Sequence, residues 1–286
     1  MADLPILLLN SFSYILVLIL VAMGLVIIFG LMGVINMAHG EFFLLGAYTV
    51  VMTDSLGIGF WPGLILAPII VGLVGLALEY FCIRFLYDRV LDTILATWGV
   101  SIAIKQLIII FFGPAGLMVN PPLPQLVNMG LIEYPAYRLF IMLASLSVIG
   151  FTFFIFLKTD MGLAARAVIA NRNMAASLGI NTRQIYRNTF TFGSALAGLA
   201  GAIMAPLMSC DPQMGLGFFI PAFLAILVGG TGSLSGILAG GMVVGGSDSI
   251  ISYLFSPVSS QIVVFTLAVI VIRIKPQGIL GTKRNE

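Results

Sequence analysis

Three polar side chains stand close together in an otherwise apolar stretch: Asn36, His39 (the only histidine of the chain) and Glu41. An imidazole and a carboxylate can move protons or ligate a metal. One His and one Glu are too few ligands for a metal site, and no nucleophile, base and orienting group accompany them, so neither metal binding nor catalysis is expected. Asn36 and His39 are spaced i,i+3 and would share a face on a continuous helix. A second polar set, Thr97, Ser101 and Lys105, recurs every four residues and forms one stripe. Lys105 falls roughly 18 Å along its helix at 1.5 Å per residue. Glu41 is the candidate partner for its charge.

The elements that carry these groups belong to a membrane. The chain has 286 residues, 60% of them hydrophobic and 8% charged, with a mean hydropathy of +1.15. A soluble domain carries about 25% charged residues. The apolar runs are continuous and not alternating, which excludes a β-barrel and predicts an all-α, polytopic integral membrane protein forming a single domain over residues 1–286. A charged group at bilayer depth costs about 2.5–3.5 kcal/mol on insertion scales. Asn36, His39 and Glu41 therefore either line or gate a solute path, or hydrogen-bond the backbone freed by a broken helix. For His39 the second reading is favoured over direct solute contact. Lys105 either faces solute, or snorkels or pairs structurally.

Apolar runs predict helices at 6–29, 31–52 (interrupted), 61–83, 93–112, 136–157, 188–208, 237–255 and 258–274, with a half-span at 218–230. Eight full helices and one half-helix result. No basic residue precedes the first run, so it is expected to stay as a helix and not be cleaved. Asp92 or Thr93 is expected to cap the fourth helix, and Glu79 to reach the headgroups. Residues 113–135 read as a broken external segment. Arg84, Arg89, Lys158, Arg166, Arg172, Arg183, Arg187, Arg273, Lys275, Lys283 and Arg284 fall on one side, which places that side and the C-terminus in the cytoplasm; counting 218–230 as a crossing puts the N-terminus outside. Cys82 and Cys210 then lie near opposite faces, so no disulfide between them is expected.

Residues 28–48 and 224–246 share an order of apolar run, glycine-rich break and apolar run. Transporters built from repeats place discontinuous helices beside the substrate site, while glycine-rich breaks also mark tightly packed helices. Both readings stay open. Gly230 and Thr231 join the path or helix-break candidates on this ground. Residues 158–187 form the longest polar segment. Gly179 fits a helix C′ position and Asn181 or Thr182 the cap of the next helix. The segment is rich in small residues and only mildly amphipathic, which suits docking into a protein groove better than lying on lipid. A plain positively charged loop is the alternative. No G-x-x-x-x-G-K-[ST] loop occurs, so any ATPase must be another chain.

Residues 24–48 (GLVIIFGLMGVINMAHGEFFLLGAY) strongly resemble the signature of permease subunits from ABC importers of the branched-chain amino-acid family. The resemblance continues through residues 166–182, 192–201 (FGSALAGLAG), 228–236 (VGGTGSLSG) and 275–280 (KPQGIL). It implies a second, homologous permease subunit (often as a heterodimer), two cytoplasmic ATPase subunits and an extracytoplasmic solute-binding protein. It also implies a bacterial inner-membrane location and ATP-driven alternating access. ATP and Mg would sit on the ATPases, with no cofactor in this chain and no nucleic-acid partner. The segment with Arg166, Asn171, Met174, Ala175, Leu178, Gly179 and Ile180 matches the one that docks on an ATPase. Branched-chain or neutral amino acids are the first expectation for the solute, and urea or short-chain amides the alternative. An ATP-independent channel or carrier is the remoter one. Lys105 departs from the uncharged residue expected there.

Overall fold

A computed structural model describes residues 3–280 except Asp88, Met129 and Leu131; Lys283 and Arg284 lie outside the described residues. The described residues form eleven α-helices and one small hairpin. Helix α1 is Asp3–Met32, α2 His39–Ser55, α3 Phe60–Phe81, α4 Val90–Phe112 and α5 Ala136–Lys158. Helices α6 (Asp160–Ala170) and α7 (Arg172–Ser177) are short, and α8 is Thr182–Met204. Then come α9 (Met214–Gly229), α10 (Leu234–Leu254) and α11 (Pro257–Ile274). Between α4 and α5, β1 (Leu126–Asn128) pairs antiparallel with β2 (Glu133–Pro135).

Among the described residues, seven helices are long and apolar enough to cross a membrane: α1, α3, α4, α5, α8, α10 and α11. Two are short. α9 has 16 residues, as the half-span predicts. α2 has 17 and starts at His39, eight residues later than its apolar text implies, so it is not a full span. The interruption follows Met32, and Gly30 is still helical. α8 begins at Thr182, six residues before the predicted 188, because Asn181 caps it.

Burial divides the helices by role. Apolar all round, α1 is the central post, as such helices are when protein surrounds them. α4, α5 and α11 leave most of their surface exposed to the surroundings, as lipid-facing helices do. Contact inside the bundle is made by small residues, since lipid supplies no hydrophobic drive for helix association. A Cβ at Gly46 would collide with the Gly198 carbonyl of α8, and one at Gly201 with the Phe43 carbonyl of α2. Gly40 and Gly215 meet in the same way, joining the first turns of the two short helices, α2 and α9.

Directions follow from paired residues. Ser11, Ile15 and Ile19 of α1 meet Ser249, Gly245 and Gly241 of α10, so the two run antiparallel. Gly240 packs on Ala225 and Gly236 on Gly229, so α9 and α10 are antiparallel as well. The last turns of α1 and α9 therefore lie at one end of the bundle. Tyr87, in the α3–α4 loop, packs against Tyr186 of α8 at that end with its ring tilted by 51°, and this is also the end rich in Arg and Lys. Cys82 follows α3 there, while Cys210 is buried towards the other end and pairs through its backbone with Leu117; both thiols are free.

Candidate functional site

The first helix break spans residues 33–38. Gly33 turns the chain at φ +66°, and its N–H still closes on the Phe29 carbonyl at 2.8 Å. The chain then runs back beside α1. The Nε2 of His39 lies 3.1 Å from the carbonyl oxygen of Val21, roughly 16 Å up the helix from Met32 at 1.5 Å per residue. A carbonyl only accepts, so Nε2 carries the proton. Asn36 accepts from the N–H of Ala38 at 3.1 Å, and its own carbonyl accepts from the N–H of His39 at 3.2 Å. Asn36 thus satisfies backbone groups of the break itself, while His39 ties it to the middle of α1 and not to backbone freed by the interruption.

The α4 stripe supplies the other half. Thr97 Oγ1 accepts from the N–H of Met37 at 3.2 Å. Ser101 donates to Glu41 Oε1 at 2.8 Å, and the Lys105 ammonium lies 3.4 Å from that same oxygen. The expected Glu41–Lys105 pair is therefore present. Glu41 is 1% exposed and the Lys105 side chain 17%. Glu41 sits in the first turn of α2, where the partial positive charge of the helix start favours an anion. Its second oxygen adjoins Gly215 in the first turn of α9. Three buried atoms of this cluster, Asn36 Nδ2, His39 Nδ1 and Glu41 Oε2, have no hydrogen-bond partner among the described residues.

Gly230 and Thr231 do not join this cluster. Gly230 ends α9, roughly 22 Å along that helix from Gly215. It is buried at φ +117°, and Thr231 is exposed. The second break is closed by the C-terminal tail. The N–H groups of Ile279 and Leu280 donate to the carbonyls of Val228 and Gly229 at 2.8 and 3.1 Å. Gly278, at φ +80°, packs directly on the Gly230 backbone.

Two expectations about polar residues are corrected. Glu79 does not reach the headgroups: it is 2% exposed and accepts from the Tyr87 hydroxyl at 2.5 Å. Neither Asp92 nor Thr93 caps α4. The cap position is Arg89, and the Thr93 hydroxyl instead donates to the carbonyls of Leu86 and Arg89.

The polar segment contains two helices, not one. Thr159 caps α6 by accepting from the Gly162 N–H, and Asn171 caps α7 by accepting from the Met174 N–H. Gly179 adopts φ +85°, as its C′ position requires, and Asn181 caps α8. Arg166, Asn171, Met174, Leu178 and Gly179 are exposed. Ala175 is buried with Leu31, Val168 and Tyr186, and half-buried Ile180 packs on the same cluster.

The reading of the sequence does not single out one further cluster. Asp248 of α10 accepts from the Tyr14 hydroxyl of α1 at 2.7 Å and from the Ser260 hydroxyl of α11, which also reaches the Asp248 carbonyl at 2.9 Å. Those partners are more than ten residues away in sequence, so no local spacing marks them.

The architecture is that of a helical polytopic membrane protein with two short internal helices starting at a buried charge pair. Residues 7–272 match the family described as "Branched-chain amino acid transport system / permease component", and the chain belongs to that family. It is 29% identical to the high-affinity branched-chain amino acid transport system permease protein LivH of Salmonella typhimurium, over 93% of this chain and 92% of that relative. Similarity to the corresponding protein BraD of Pseudomonas aeruginosa is the same in identity and coverage. LivM of Escherichia coli, named as a permease protein of the same kind of system, is 26% identical over 94% of this chain and 68% of its own length. No solved structure matches the chain.

Proposed function

We propose that this chain is a permease subunit of an ATP-driven importer for branched-chain or similar neutral amino acids. The observation that carries the reading is the match to branched-chain amino acid permease proteins over more than nine-tenths of the chain. LivH-like and LivM-like chains are both relatives, which supports a second permease chain as partner. The sequence has no phosphate-binding loop, so ATP and its Mg would be held by separate ATPase chains. The Arg- and Lys-rich end would face the cytoplasm of a bacterial inner membrane. There the capped α6–α7 segment offers exposed Met174 and Leu178 to an ATPase groove. An extracytoplasmic binding protein would deliver solute at the other end.

In this reading Glu41, Lys105, Ser101, Thr97 and Asn36 form the polar part of the path, and alternating access opens and closes it. A carboxylate paired with an ammonium suits a zwitterion, which carries both charges, better than a neutral amide. The test is co-purification of the chain with its partners, followed by uptake in proteoliposomes with leucine and urea side by side. Retention of ATPase chains and ATP-dependent leucine uptake are expected. Recovery without an ATPase, with transport surviving ATP depletion, would overturn the reading.

A further inference from the structure

We propose that Arg172, Tyr87, Tyr186 and Glu79 form a clasp that seats the α6–α7 segment on the last turn of α1, so that movement of the segment reaches the first helix break. The inference rests on the reading that this segment receives an ATPase. The Arg172 guanidinium lies 5.2 Å from the Tyr186 ring centroid and 5.9 Å from that of Tyr87. The two rings are themselves 4.6 Å apart. Tyr87 donates to buried Glu79, which anchors the clasp in α3. Four parts of the chain thus meet: α3, the α3–α4 loop, the first residue of α7 and the start of α8.

The clasp lies directly against the end of α1. Leu31 is buried in one cluster with Val168 of α6, Ala175 of α7 and Tyr186 of α8, and Met32 and Tyr87 pack on its edge. Ile169 of α6 lies over Gly30. One residue after Met32, Gly33 turns at φ +66° with open space around its Cα. The last turn of α1 is therefore gripped from the segment's side and followed at once by an unhindered turn. Beyond that turn the chain leads to Met37, bonded to Thr97, and to Glu41, bonded to Ser101 and Lys105.

Apolar packing alone would hold α7 against α8. The cation over two rings and the hydroxyl on a buried carboxylate add direction, because both interactions depend on angle as well as distance. They fix how α7 sits relative to α3 and α8, which a lever requires and a tether does not. Arg172 and Tyr87 are positioning residues in this scheme.

The complete assembly, with the second permease and the ATPases, is reconstituted in proteoliposomes, and solute taken up per ATP hydrolysed is measured. Arg172→Gln is expected to lower this ratio by about fivefold or more, the range of ordinary coupling effects, while the ATPase chains still co-purify. Arg172→Lys keeps the cation and is expected to recover much of the ratio. Tyr87→Phe keeps the ring, frees Glu79 and is expected to fall between. An unchanged ratio in Arg172→Gln overturns the clasp and leaves ATPase docking standing. If Arg172→Gln does not assemble, Tyr87→Phe decides, and an unchanged ratio there overturns the clasp. Failure of the unaltered chain to retain any ATPase overturns both readings.

Discussion

Glu41 of α2 and Lys105 of α4 form an ion pair at 3.4 Å that Ser101 completes from the same face of α4. The pair is the strongest polar link between α4 and the interior, since α4 otherwise leaves most of its surface exposed. Removing one member of a buried pair leaves an uncompensated charge and costs about 3–5 kcal/mol, whereas replacing both is far milder. Lys105→Met is expected to lower the thermal midpoint in detergent more than the double variant Glu41→Gln/Lys105→Met does. Equal midpoints for single and double variants would show that the two charges are not coupled.

His39 holds the first break through the Val21 carbonyl and packs edge-on to Phe42. His39→Ala should cost stability by about 1–3 kcal/mol, because it deletes a buried hydrogen bond and leaves the space of the imidazole empty. Solute concentration at half-maximal uptake should stay unchanged, because Nε2 is bonded to the Val21 carbonyl and the whole ring is buried. A large shift in that concentration at unchanged stability would assign His39 to the solute.

Gly179 has open space around it and a φ of +85°. A side chain there meets no neighbour and strains only the backbone, by about 1–2 kcal/mol. Gly179→Val should reduce uptake per ATP hydrolysed, Gly179→Ala less so, and Gly179→Asn least, because Asn tolerates this conformation. Uptake and ATP hydrolysis measured together check the order. Normal coupling in the Val variant at normal expression would dismiss the turn as a transmission element.

Gly278 is constrained twice, by φ +80° and by contact with the Gly230 backbone. Gly278→Ala should lower the thermal midpoint, and so should truncation after Gln277, which strips the Val228 and Gly229 carbonyls of their donors. Each lost partner is worth about 1–3 kcal/mol when the group stays buried. Protease sensitivity in the second break, compared between full-length and truncated chains, is the direct check.

What could be read from the text was whatever depends on local spacing. Length and continuity of apolar runs gave the long helices, and the fourfold spacing of Thr97, Ser101 and Lys105 gave the stripe and its partner. Gly179 and Asn181 announced a helix end and start through backbone chemistry that does not need neighbours. What could not be read depends on partners distant in sequence. Glu79 looked free to reach headgroups because its partner, Tyr87, is an aromatic hydroxyl beyond a turn. Helix α2 looked full-length because residues 31–52 read as one interrupted apolar run, and only the bond from His39 to Val21 shows how deep the chain re-enters. Asp248 was silent for the same reason: Tyr14 and Ser260 come from other helices.

The tail that closes α9 also sets an order of assembly. Val228 and Gly229 are synthesised well before Ile279 and Leu280, the residues that supply their missing donors. Until the tail has emerged, the last turn of α9 carries these carbonyls without their tail donors, and the hairpin with α10 lacks its bolt. Folding of this half of the molecule is thus finished from the carboxyl end backwards. A chain that ended after Ile274 would keep every helix described here and lack the two hydrogen bonds that lock the second break.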